Sequence, residues 1–414
     1  MTQRIQAARS IMPKADQAIV EKALSLAEGF AQRASEADRA RRLPPESVAE
    51  LRQSGLLALN IPKGSGGLEA NYATMMQVTE IFGAACASTA WCFLNHTATV
   101  LMSRALLREK SAPYIRQVVE EGAILAHAQA PSGKTEAAPG GFVATGSWPF
   151  VSFSNYSQWV FLSTMVDGPP PDWTSSNGET TPPAHNRWLW LKLDGPGVTI
   201  ADTWNAMAMR ATMSNDVILD NVSVSEELAP VVVRPQPETV WVPNEPPNLR
   251  LPYTHIRALM GGVMLGIAQA ALAETLDYAA GTNMTVDGNA KTSMPGNQFA
   301  VADAAMYIES ARAYLYQQVY AFMERAESGE AFALNDAISV QMACLVAREN
   351  AQKAVDRLFG IRGAHGLSET SNFERYYRDV RIGTLHSFLA PDLERELIGK
   401  HYFGIPADVQ PRWA

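Results

Sequence analysis

Glu374-Arg375-Tyr376-Tyr377-Arg378-Asp379-Val380-Arg381-Ile382-Gly383-Thr384-Leu385-His386-Ser387-Phe388 is dense in charge and also aromatic. It follows a glycine-bearing turn, Gly360-Ile361-Arg362-Gly363-Ala364-His365-Gly366. Arg375, Arg378, Asp379 and Arg381 suit either of two tasks: pairing with one another, or holding anionic groups such as phosphates. His386 is the one side chain of the stretch whose ordinary pKa lies near neutrality. By itself the stretch reads as a salt-bridged helix end with a hydrogen-bonded histidine. The rest of the chain decides whether it is more.

Upstream the pattern is helical. Two long helices are expected at 296–328 and 333–360. The stripe Ala302, Ala305, Met306, Ile308, Ala311 and Leu315 in the first, and Val340, Ala343, Ala347, Ala351, Ala354 and Leu358 in the second, suit a bundle core. Helices longer than about 25 residues suggest a long bundle with faces buried by a second subunit. Before them, Gly261-Gly262-Val263-Met264-Leu265-Gly266 is rich in small residues, which permits close helix packing. Residues 231–252 hold six prolines and read as an irregular connector.

Farther out, between about 127 and 230, period-two segments replace helical ones. Strands are expected at 141–148, 158–163, 187–192 and 216–224. The run from Asp167 to Pro183 is a polar, proline-rich surface loop. At the N-terminus, Ile19, Val20, Ala23, Leu24, Ala27 and Phe30 form one apolar helical face over 14–40. Pro44-Pro45-Glu46-Ser47 starts a second helix. Residues 72–108 form a largely apolar helical span broken near Cys86, and Asn95 and His96 within it need partners or a purpose. The fold class is therefore α+β, mostly α. An N-terminal helical domain covers 1–126, a middle β domain 127–230 and a C-terminal helical bundle 231–414.

The bulk numbers narrow the function. The chain has 414 residues, 47% hydrophobic, with a net charge of −8. That balance argues against nucleic acid or an anionic membrane as partner. Cys86, Cys92 and Cys344 fit a reducing compartment better than a disulfide frame or a zinc site, and no histidine spacing suggests a metal. The opening MTQRIQAARSIMPKADQ has charges and no apolar core, so no signal peptide is expected. No run reaches the roughly 18 apolar residues of a membrane span. A soluble cytoplasmic protein is the expectation.

Several motifs, in order, resemble the acyl-CoA dehydrogenase fold along nearly the whole chain. Trp204-Asn205-Ala206-Met207-Ala208-Met209-Arg210-Ala211-Thr212-Met213-Ser214-Asn215-Asp216-Val217 is similar to a family segment beside the flavin, with Ala208 and Ala211 where glycines are usual. Gln129-Ala130-Pro131-Ser132-Gly133 resembles the flavin-side loop at the domain junction. Gly360–Gly366 resembles the glycine turn that meets the cofactor's phosphate or nucleotide side across a subunit interface. Residues 375–381 resemble the family's Arg-Asp-Ala-Arg segment. The resemblance implies flavin contacts from Gln129, Ser152, Arg210, Thr212, Ser214, Gln298, Gly363 and Ala364.

Many dehydrogenases of this fold carry a glutamate base just after that arginine segment. Here His386 and Ser387 stand at the corresponding positions, and serine is far too weak a base to replace a carboxylate. Thr384-Leu385-His386 is similar instead to the two-component (group D) flavin monooxygenases of the same fold. In those a separate NAD(P)H-flavin reductase supplies reduced FAD or FMN, and O2 forms a C4a-hydroperoxyflavin that hydroxylates the substrate. The resemblance implies catalytic roles for His386, which holds or protonates the peroxide, for Ser152, which meets flavin N5, and for His96, which faces the substrate. Ser152 is followed by Phe153 where the family has glycine. Asn95, His96 and Trp148 are the candidate substrate contacts, for a small aromatic or heteroaromatic compound such as an indole or a phenol. A homotetramer is implied, with no nicotinamide site in this chain because no G-x-G-x-x-G follows a strand. Two alternatives remain open: an acyl-CoA dehydrogenase or flavin-dependent desaturase, and a non-catalytic flavin-binding protein.

Overall fold

The structure, a computed structural model, describes residues 14–168, 184–232, 240, 242–252, 255–284, 288–386 and 390–406. Most of the proline-rich loop, part of the 231–252 connector, and Ser387 lie outside the described residues.

Among the described residues five α-helices come first: α1 (Gln17–Ala40), α2 (Pro45–Gln53), α3 (Tyr72–Ala85), α4 (Ala87–Leu107) and α5 (Ala112–Glu121). Asp16 caps α1 by accepting from the Ala18 and Ile19 amides, and the face Ile19, Val20, Ala23, Ala27, Phe30 is buried. The break between α3 and α4 falls at Cys86, whose backbone is extended. Seven strands follow among the described residues: β1 (Leu125–Ala128), β2 (Lys134–Ala138), β3 (Gly141–Val151), β4 (Trp159–Val166), β5 (His185–Lys192), β6 (Val198–Ala201) and β7 (Asn215–Ser225). They form two sheets, β1-β4-β5 and β2-β3-β7-β6. β1 runs parallel to β4, and the other pairs are antiparallel. The chain then returns to helices: α6 (His255–Ala280), α7 (Pro295–Ser328), α8 (Leu334–Arg362), α9 (Asn372–Asp379), α10 (Ile382–Leu385) and α11 (Pro391–Phe403).

The N- and C-terminal helices share one apolar core, while the sheets keep a second, smaller one. The small residues of α6 let it lie directly on α3. A Cβ at Gly266 would sit 2.2 Å from the Glu80 carbonyl oxygen, and one at Gly83 2.5 Å from that of Val263. Helix α6 is long and apolar enough, by composition, to cross a membrane, which the reading of the sequence did not anticipate. Its most apolar window is 83% buried inside the fold, so its hydrophobicity serves the shared core. In α7 the expected stripe holds at Ile308, Ala311 and Leu315 but not at Ala302, Ala305 and Met306. Ala300, Ala304, Ile308, Ala311 and Leu315 are buried, whereas Met306 is 62% exposed, as is its neighbour on the outer face, Phe299, at 63%.

Candidate active site

Where α4, β1, the turn after β3, the 204–214 loop and the end of α10 converge, they enclose a cavity with two lobes. The outer lobe, about 420 Å³, is walled by Ser152, Thr212, Ser214, Phe150 and Trp204. The inner lobe, about 40 Å³, reaches between α4 and α6 to Leu94, Met102, Met260 and Arg257. Five residues line both lobes and form the waist: Trp91, Asn95, His127, Gln129 and His386. Among the described residues, no aspartate or glutamate lines either lobe.

The outer wall is built by strand pairing. Val151 at the end of β3 pairs with Asn215 at the start of β7, which sets Ser152 beside Ser214. The turn carrying Ser152 is tight. Phe150 and Phe153 both have positive φ, 63° and 68°. Phe153 thus takes up the left-handed backbone that a glycine would adopt freely, at a cost of roughly 1 kcal/mol, offset by complete burial of its ring. A similar solution appears in the facing loop. Positive φ falls on Met209 and Met213, not on Ala208 or Ala211, so the segment turns without the glycines.

Three hydroxyls run along this wall: Ser152 Oγ lies 2.8 Å from Ser214 Oγ, which lies 2.7 Å from Thr212 Oγ1. The direction of the chain is fixed at its far end. Thr212 donates to the Met209 carbonyl, 2.9 Å, and a carbonyl can only accept. Thr212 therefore accepts from Ser214, and Ser214 from Ser152. Each hydrogen is spent along the chain, and Ser152 presents only lone pairs to the outer lobe.

At the waist His386 and Trp91 have ring centroids 5.6 Å apart. Burial, reinforced by the charges of Arg348 and Arg257, pushes His386 down to about 4. His127 is pushed down to about 4 by burial and then by His386, and its Nδ1 lies 2.8 Å from Thr99 Oγ1. Both imidazoles are neutral at pH 7, giving polar contacts without charge.

The arginines of residues 374–381 are spent on the scaffold and not on an anion in the cavity. Arg378 pairs with Glu374 and with Asp38 of α1, and donates to the Met207 carbonyl. Arg375 donates to Ser35, and Arg381 pairs with Asp356. Asp379 accepts from the Met209 amide at 2.6 Å, and so anchors the loop that carries Thr212 and Ser214. Burial raises Asp379 to about 6 despite that amide and the two nearby arginines.

The other expected site residues divide. Ser152, Thr212, Ser214, Gln129, Asn95 and His386 line the cavity. His96 does not: it is fully buried, with Nε2 on the Leu57 carbonyl and Nδ1 accepting from the Leu125 amide, so both ring nitrogens brace α4. Its neighbour Asn95 turns toward the cavity instead. Trp148 is also a correction. It is fully buried in the sheet core and donates to the Ser163 carbonyl. Arg210 points to Asp38 of α1. Gln298, Gly363 and Ala364 are exposed and line neither lobe of this chain. Sequence reasoning passed over His127, which it weighed only as a metal ligand. Its signal was a histidine on a short apolar strand, with Ala126 and Ala128 facing the opposite way into the sheet core.

Comparison with known proteins agrees with this architecture. The model of the acyl-CoA dehydrogenase N-terminal domain matches residues 13–109, and that of the C-terminal domain matches 258–391, together more than half of the chain. The chain belongs to the acyl-CoA dehydrogenase family. Among family relatives, the FADH2-dependent resorcinol hydroxylase, oxygenase component, of Rhizobium sp. is 25% identical over 94% of this chain and 94% of its own. YdbM of Bacillus subtilis, provisionally named an acyl-CoA dehydrogenase, is 28% identical over 92% of this chain and 94% of its own. The solved structure of XiaF from Streptomyces sp., in complex with FADH2 and glycerol, superposes with a TM-score of 0.84 at 25% identity, covering 95% of this chain and 97% of that one. The outer lobe suits the ring system of a flavin: its volume lies in the range of small-molecule sites, aromatic Trp204 and Phe150 form part of its wall, and a neutral hydroxyl acceptor projects into it.

Proposed function

We propose that this chain is the oxygenase component of a two-component flavin monooxygenase that hydroxylates a small aromatic or heteroaromatic compound. One observation carries the proposal. The wall where a dehydrogenase would need a carboxylate base holds an imidazole and a lone-pair-presenting hydroxyl instead. Reduced flavin, FAD or FMN, when bound supplies the electrons that activate O2.

The chain's residues do the rest. Ser152 Oγ accepts from an N–H, and the central ring of a flavin carries that hydrogen when reduced. The neutral His386 offers a donor without a charge that would draw water in. Trp91 and His386 hold the substrate ring at the waist, and the apolar side chains of the inner lobe keep it dry. A separate NAD(P)H-flavin reductase fits a chain with no nicotinamide motif. The exposed Phe299 and Met306 on α7 support burial against further copies, as a homotetramer requires. The buried, unbridged Cys86, Cys92 and Cys344 support a reducing, cytoplasmic setting.

The test mixes the protein, in excess, with chemically reduced FMN or FAD and oxygen in a stopped-flow instrument. A transient species that is neither reduced nor oxidised flavin, and whose decay quickens with an aromatic substrate, is expected. Immediate reappearance of oxidised flavin at every protein excess refutes the proposal.

A further inference from the structure

His127 belongs to the waist, yet nothing in the scheme above uses it. It is a buried imidazole on β1, and strand alternation turns it away from the sheet core and toward α4. Its protonation pattern can be worked out from its neighbour. Thr99 is fully buried, and its Oγ1 lies 2.8 Å from the Asn95 carbonyl and 2.8 Å from His127 Nδ1. A threonine hydroxyl has one hydrogen, and the carbonyl can only accept it. Thr99 therefore accepts from His127, and the hydrogen of the imidazole sits on Nδ1. The other nitrogen, Nε2, is left with its lone pair on the side of the ring away from Thr99, where His127 lines both lobes.

Asn95 lines the same waist. Asn95 Oδ1 is buried and makes no hydrogen bond among the described residues. An acceptor facing this waist is costly when left unpaired, and a ring that brings a donor relieves that cost. Size agrees. The inner lobe, about 40 Å³, takes about three water-sized groups, enough for a substituent but not for a second ring. The ring itself is then left at the waist, against Trp91 and His386.

We propose that His127 Nε2 reads a hydroxyl or ring N–H on the substrate, so that this site takes phenols and indole-type N–H heterocycles in preference to rings of the same size without a donor. Thr99 is the positioning residue that locks the accepting tautomer. The proposal rests on the monooxygenase reading for its substrate lobe, but it concerns binding and not oxygen chemistry.

The experiment measures binding to the full chain with oxidised FAD present, by tryptophan fluorescence or calorimetry. Two isosteric pairs serve as probes: indole against benzofuran, and phenol against fluorobenzene. Wild type should prefer the donor of each pair by roughly tenfold, the upper end of what one hydrogen bond contributes. His127→Phe keeps a flat ring and removes the acceptor, so the ratio should fall to about one with both members of a pair still bound. Thr99→Val unlocks the tautomer, so it should reduce the ratio by about threefold while leaving benzofuran and fluorobenzene unaffected. This second variant decides the matter if His127→Phe fails to fold. Equal affinities in the wild type, a preference that survives in both variants, or no binding of any probe at millimolar concentration would each overturn the proposal. Oxygen-dependent product formation on the same panel separates the two claims. Turnover without donor preference sinks only this inference, and donor preference without oxygenation sinks only the monooxygenase reading.

Discussion

Thr212→Val tests the hydroxyl chain at its anchor. Valine nearly matches threonine in shape but removes the hydrogen given to the Met209 carbonyl and the oxygen that accepts from Ser214. The carbonyl keeps a partner, because the Thr212 amide also donates to it at 3.1 Å. Folding should therefore survive. Freed from Thr212, Ser214 can reverse and donate to Ser152, and Ser152 can then donate into the outer lobe. On the proposed function, Ser152 of the wild type accepts from the N–H of reduced flavin and meets the bare nitrogen of oxidised flavin lone pair to lone pair. One hydrogen bond gained, against one acceptor left unpaired, amounts to roughly 1–2 kcal/mol, or about five- to thirtyfold in the ratio of affinities. The variant should lose most of that preference, chiefly by binding oxidised flavin more tightly. Anaerobic titration with dithionite-reduced flavin, beside aerobic titration with oxidised flavin, measures the ratio. A ratio unchanged in both Thr212→Val and Ser152→Ala would refute the assigned direction of the chain.

His386→Ala should leave folding largely intact and divert oxygen to hydrogen peroxide, read as peroxide formed per oxygen consumed; unchanged coupling would remove His386 from the reaction. Stability should fall as pH drops from 6.5 toward 4. His96, His127, His255 and His386 have folded values near 4, below the unfolded 6.5, so what each contributes is complete above 6.5 and is lost as acid charges the unfolded chain first. The full effect is up to roughly 3 kcal/mol apiece. Asp379 acts in the opposite sense: raised from 3.8 to about 6, its carboxyl favours the fold below 3.8 and withdraws that contribution as pH climbs through 6. Melting temperatures across this range should therefore decline on acidification, less steeply in His96→Gln, and a flat profile would contradict the burial of these rings. Phe153→Gly relieves the left-handed backbone but empties a core position, so a net loss of roughly 2–4 kcal/mol is expected in denaturant midpoints. A neutral or stabilising result would mean that the ring does not hold the Ser152 turn.

The long helices and the strands β3, β4, β5 and β7 were legible because each obeys its own period over many residues, whereas β1, β2 and β6, at four or five residues, are too short to show one. Helix α7 shows the limit. Its alanines occur on every side, so composition alone could not tell the buried row of Ala304 and Ile308 from the exposed one of Met306. At the site, family-like motifs pointed to the hydroxyls of Ser152, Thr212 and Ser214, but their contact depends on the β3–β7 register, which no local pattern encodes. Asn95 and His96 are consecutive on α4, about 100° apart around its axis. Which of them faces the cavity depends on how α4 rolls against β1 and the Leu57 turn. The charged stretch was ambiguous for a similar reason. Whether an arginine meets a phosphate or an aspartate depends on which segments fold over it, and Asp38 lies 340 residues before Arg378.

The hold of Asp379 on the Met209 amide, across 170 residues, bears on how the enzyme matures. During synthesis the strands and their hydroxyl-bearing loop emerge long before the segment that fastens them. A nascent chain can complete both sheets while that loop still lacks its Asp379 anchor, which arrives only when the last helices dock. The last hold on the hydroxyl-bearing loop is thus fastened at the end of translation.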